Sequence, residues 1–138
     1  MYAYYLKLYA ITLIGFLAID LTWLGWIARG FYREHLGYLM SEKPNWTAAI
    51  VFYLLFILGL LIFVVVPSLQ ADSWGKLLFL GAMFGLITYA TYDLTNMATV
   101  RNWPWIVTVV DVTWGIVLST TVSCISFQAG KWLSRNMA

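Results

Sequence analysis

The chain has one cysteine, one histidine and very few charges. Cys124 alone excludes an intrachain disulfide, a disulfide relay and any multi-cysteine metal site, and it reads as a buried small hydrophobe. His35 stands by itself in a connecting segment, which argues against a histidine-based haem or zinc centre. Charged residues make up 10% of the chain, against about 25% in a soluble domain. The net charge of +2 is dispersed, so the clustered basic face that nucleic-acid binding needs is missing.

What the sequence has in abundance is apolar length: 62% of its 138 residues are hydrophobic. A membrane-crossing helix needs roughly 20 apolar residues. Four such runs cover residues 6–28, 47–66, 77–98 and 104–127. They predict an all-α, integral membrane four-helix bundle, a single transmembrane domain over residues 1–138 with both termini on one side. The first run is expected to stay in the mature protein: it is long, carries Asp20 internally, and ends in Trp26 and Arg29 instead of a small-residue cleavage site.

The flanks do not decide orientation. Lys7, Lys76, Lys131 and Arg135 lie on the terminal side, and Arg29, Arg33, Lys43 and Arg101 on the other. Orientation follows Lys/Arg bias, and here the two sides tie. Glu34 and Glu42 partly offset the second group, which tilts the expectation towards cytoplasmic termini. Six tryptophans (26, 46, 74, 103, 105 and 132) flank span ends, the depth that indole rings prefer. Tyr2, Tyr4, Tyr5 and Tyr9 read as part of the same interfacial belt. Residues 29–46 read as a long loop, and Pro104 suits the first turn of a helix.

Three aspartates lie inside the apolar runs, and each opens the same short pattern: Asp20-Leu-Thr-Trp23, Asp93-Leu-Thr-Asn96 and Asp111-Val-Thr-Trp114. A carboxylate in hydrocarbon costs about 2.5–3.5 kcal/mol or more. Counted along the helices, the three lie roughly 12, 8 and 10 Å below the interface opposite the termini. They therefore share one layer of one leaflet. Gly81, Gly85, Tyr89 and Asp93 recur every fourth residue, as do Asp111, Gly115, Ser119 and Ser123. Small residues at that spacing let membrane helices approach closely, so Asp93 and Asp111 are expected to face the bundle. Within each unit the i+3 residue shares the face of its aspartate. The threonine points away and is expected to bond a backbone carbonyl one turn back or a neighbouring helix.

Three carboxylates in one low-dielectric layer cannot all be ionised cheaply. Either protons or a cation must offset them: a bound ligand, a metal ion, or an arginine folding back from the surface. The candidate ligand-binding or proton-carrying residues are Asp20, Asp93, Asp111, Trp23, Asn96, Trp114, Tyr89 and Tyr92. Arg29, Arg33, His35 and Arg101 are candidates to roof the site. A hard cation such as Mg²⁺ or Ca²⁺ would suit carboxylates, but no clustered carboxylate motif accompanies them, and neither a metal nor another cofactor is expected. The plainer alternative is that the acids bond donors on neighbouring helices and hold the bundle together. Neutral polar residues would do that at lower cost.

The stretches FLAIDLTWLGWIARGFY (16–32), YDLTNMATVRNWP (92–104) and DVTWG (111–115) resemble DUF2177, a bacterial family of small predicted membrane proteins. The resemblance implies a four-span protein of the bacterial inner membrane and supplies no activity or assigned residue. The residues themselves point to binding or transport of a small cationic, protonatable or amphipathic ligand. A membrane enzyme acting on a lipid headgroup, with an aspartate as general base and an arginine on the phosphate, is the alternative, as is an accessory subunit whose acids dock a partner helix. Expected partners are membrane lipids and an unknown small ligand. Four helices make a thin pathway, so a homodimer is a further expectation.

Overall fold

The structure, a computed structural model, describes residues 1–137. Four helical segments are long and apolar enough to cross a membrane: Tyr2–Ile27, Trp46–Gln70, Trp74–Thr99 and Trp105–Asn136. Lipid offers the backbone no hydrogen bonds, so each crossing must satisfy its own N–H and C=O groups, and helices do this. The outer two crossings run beyond their apolar cores, the last continuing past Lys131 and Arg135. Four crossings return the chain to the side from which it started.

Helix α1 (Tyr2–Thr22) passes into a wider π-helical turn at Trp23–Ile27. The turn closes with the Ala28 N–H donating to the Trp23 carbonyl, five residues back, at 2.7 Å. It leads into α2 (Arg29–Leu36), a short amphipathic helix. This corrects the expectation of a long loop over residues 29–46. Three apolar residues, Phe31, Tyr32 and Leu36, are spaced to turn one face inward while Arg33 and Glu34 point out.

The second crossing is built from α3 (Trp46–Leu60), a π-helical turn at Leu61–Val65 and α4 (Val66–Gln70). Pro67 has no N–H to donate to the preceding turn, and the widened turn just before it absorbs that loss. Asn45 caps α3 by accepting the Ala48 N–H at 3.0 Å. Ser73 caps α5 (Trp74–Thr99) by accepting the Lys76 N–H at 3.2 Å. Pro104 immediately precedes α6 (Trp105–Asn136).

Helix α6 is the most enclosed crossing, with α5 and α1 against it. The α5–α6 contact follows the small-residue stripes. A Cβ on Gly85 would run into the Gly115 carbonyl, and one on Gly115 into the Tyr89 ring. Side-chain bonds add to the packing. Thr12 and Ser126 hydroxyls meet at 2.6 Å between α1 and α6. Tyr4 donates to the Gly130 carbonyl at 3.2 Å, and Tyr9 to the Leu54 carbonyl at 2.9 Å. These two tyrosines tie helices together and are not only an interfacial belt. A phenol half-buried among apolar side chains finds an acceptor, and a backbone carbonyl supplies it. Cys124 is a free, half-buried thiol packed against the core.

Candidate functional site

Between α1, α2, α3, α5 and α6 lies a cavity of about 390 Å³. Asp20 and Leu24 reach it from α1 and the turn that follows, and Tyr32 and Leu36 from α2. Phe52, Tyr53 and Phe56 come from α3, Thr88, Tyr89 and Tyr92 from α5, and Asp111 and Trp114 from α6. Seven of these twelve residues are aromatic, two are acids, and none is a lysine, arginine or histidine.

Each of the two cavity acids is held by a tyrosine and linked to a tryptophan. Asp20 accepts the Trp114 indole N–H at 3.3 Å and the Tyr53 hydroxyl at 3.3 Å. Asp111 accepts the Tyr32 hydroxyl, which in turn accepts the Trp23 N–H at 3.2 Å. The two tryptophans stack, with ring centroids 4.2 Å apart and planes 8° from parallel. The pairing therefore crosses over. Each tryptophan stands three residues after one aspartate and serves the other. Trp23 stacks on Trp114 and takes no part in the cavity wall.

Asp93 lies beside Asp111, outside the cavity wall and fully buried. Neither of its carboxylate oxygens has a hydrogen-bond donor. Two carboxylates are both acceptors, so the pair can bond only through a shared proton. Tyr89 fills the space over Gly115 and faces Phe56 edge-on. Tyr92 stands at the cavity rim against Trp103, ring centroids 6.0 Å apart. Asn96 is half-buried and does not reach the cavity.

The threonine of each unit behaves as its spacing predicts. Thr22 donates to the Ala18 carbonyl at 2.6 Å, Thr113 to Val109 at 2.7 Å, and Thr95 to Thr91. These threonines belong to the helix backbone, not to the acids.

The basic candidates sit elsewhere. Arg29, Arg33 and Arg101 are exposed, and the one ion pair among the described residues joins Lys131 to Asp72 at 2.6 Å. Among the described residues, no arginine forms an ion pair with an aspartate. His35 turns its Nδ1 to the Phe31 carbonyl at 2.9 Å and packs on the Phe31 ring. What covers the acids is Tyr32, with Leu36 beside it. Burial and the adjoining Asp111 carboxylate both push the Tyr32 phenol above its ordinary range, so it stays a neutral donor. Among the described residues, no three of His, Cys, Asp and Glu are grouped as metal ligands would be.

A sequence model of DUF2177, described as a predicted membrane protein, matches residues 5–128. The chain belongs to the DUF2177 family. No curated protein and no solved structure matches it. In this DUF2177 member, the two tyrosines that donate to the cavity acids, Tyr32 and Tyr53, carry no mark in the aspartate pattern. A signal for Tyr53 was present, since it is the one polar side chain between Thr47 and Ser68. Tyr32 is marked only by its place on the apolar face of α2.

Proposed function

We propose that this membrane protein binds a small organic cation in the aromatic, acidic cavity and carries it across or out of the bilayer. The observation that supports this best is the composition of the wall: seven aromatic rings and two carboxylates, with no basic side chain among them. Aromatic faces attract ammonium groups through their quadrupoles, more strongly when water is excluded. Asp20 and Asp111 supply the compensating charge, and the cavity volume lies within the range of small-molecule sites. Burying two carboxylates near each other is costly, and a bound cation offsets that cost.

The headgroup-enzyme alternative needs an arginine on the phosphate. Arg29, Arg33 and Arg101 all stand away from the cavity, so no observation favours it. The reading also takes the protein to sit in the bacterial inner membrane with cytoplasmic termini, which reporters fused at the C-terminus would test.

The deciding experiment is uptake and binding of a quaternary ammonium dye by the purified protein in proteoliposomes. Asp20→Asn and Asp111→Asn are expected to weaken binding about tenfold or more, about 1.4 kcal/mol, with the thermal melt retained. Full binding and uptake by both variants would sink the reading.

A further inference from the structure

The cavity has a water side and a lipid side, and they differ. On the water side, α2 lies over the acids, with Tyr32 bonded to Asp111 and Leu36 beside it. On the lipid side, Phe52 of α3 is 51% exposed and Tyr92 of α5 is 58% exposed, although both line the cavity. Both lie on membrane-crossing helices, where exposed side chains face lipid. Further down, α3 and α5 close against each other through Phe56 and Phe84, ring centroids 5.2 Å apart. The opening between Phe52 and Tyr92 is therefore a side window with a floor.

The depth of the window can be counted. Phe52 is six residues after Trp46, where α3 begins, and Tyr92 is seven before Thr99, where α5 ends. Both lie about 10 Å along the helix from the interface. At that depth the surroundings are acyl chains. A strongly hydrated, water-borne ion has no route there, whereas an amphiphile already in the leaflet reaches it by lateral diffusion.

Building on the cation reading above, we propose that the ligand is a lipid-soluble ammonium amphiphile that enters sideways between α3 and α5. Its ammonium head lies against Asp20, Asp111 and the ring faces, and its alkyl tail remains outside the window among the lipids. Long-chain amines and amine-headed diacyl lipids share this chemistry.

The test uses full-length protein in vesicles of uncharged glycolipid, which carry no competing ammonium groups. The probes are alkyltrimethylammonium ions from tetramethyl to decyltrimethyl, with tryptophan fluorescence as readout. The apparent affinity, referred to aqueous concentration, is expected to rise roughly fourfold per added methylene. That rise should run in parallel with partitioning into protein-free vesicles. Affinity referred to membrane concentration should then be flat with chain length, and Asp20→Asn should lower it about tenfold at every length.

Added phosphatidylethanolamine that competes with decyltrimethylammonium supports the proposal with a diacyl lipid as the source. Absence of competition supports it with a single-chain amine. If tetramethylammonium binds as tightly in water as the decyl ion, and binding ignores the amount of lipid, sideways entry is overturned while the cation cavity stands. If no member of the series binds, both readings fall.

Discussion

Trp23 and Trp114 stack nearly parallel at 4.2 Å; Trp114 donates to Asp20, and Trp23 reaches Asp111 through the Tyr32 hydroxyl. The contact joins the end of the first crossing to the fourth. It also makes the two D-x-T-W units one structure, because neither tryptophan can move without disturbing both acids. Trp23→Leu and Trp114→Leu are each expected to destabilise the protein in detergent. In a double-mutant cycle the pair should show a coupling of about 0.5–1.5 kcal/mol, the usual range for stacked aromatics. Strict additivity would mean that the stack is an incidental contact.

The α5–α6 interface depends on two glycines whose neighbours leave no room for a methyl group. Gly85→Ala forces the α5 backbone off the Gly115 carbonyl, and Gly115→Ala displaces the Tyr89 ring. Each should cost about 1–3 kcal/mol, as overpacking does. Gly25→Ala and Gly30→Ala meet nothing within 4 Å and serve as controls expected to be neutral or slightly stabilising. Thermal melts of the four variants would compare them directly, and equal melts would refute the close approach.

Asp93 is the acid whose oxygens lack donors. Asp93→Asn supplies an N–H to Asp111 without the shared proton that the two carboxyls require. We expect it to melt at or above the wild-type temperature, with a gain on the order of 1 kcal/mol. Asp93→Leu removes the second acceptor without supplying a donor and should gain less. If Asp93→Asn instead melts well below wild type, the carboxyl is making a bond that the shared-proton geometry does not describe.

Tyr32 is the only hydroxyl donor on α2 that reaches an acid. Tyr32→Phe should cost about 1.5–3 kcal/mol, the range for a bond to a charged partner. It should also speed hydrogen exchange across residues 29–36. The sign with pH follows from its raised pKa. Its contribution is fully present below the ordinary tyrosine value of about 10 and is lost as pH rises above it, where the unfolded phenol ionises first. Tyr32→Phe should therefore show a shallower loss of stability on the alkaline side than wild type.

The four crossings, the inward stripes of α5 and α6, and the backbone role of each threonine could all be read from spacing. These are local properties: apolar length, a four-residue period, and a hydroxyl one turn above a carbonyl. The shared layer of Asp20, Asp93 and Asp111 was legible for the same reason, since rise per residue converts position into depth.

Partner choice within that layer was not legible. The i+3 rule placed Trp23 with Asp20 and Trp114 with Asp111, yet the bonds run the other way. The cause is that the rule describes one helix, while the hydrogen bonds form between elements, α1 and α2 with α6. In the same way, charge drew attention to Arg29, Arg33 and Arg101, whereas Tyr32 and Tyr53 reach the acids. Sequence alone determined that this chain carries three carboxylates inside helices long and apolar enough to cross a membrane. Only the tertiary structure decided that two of them meet in an aromatic cavity and the third lies behind, because that depends on how far apart α3 and α5 stand and on where α2 lies across the top.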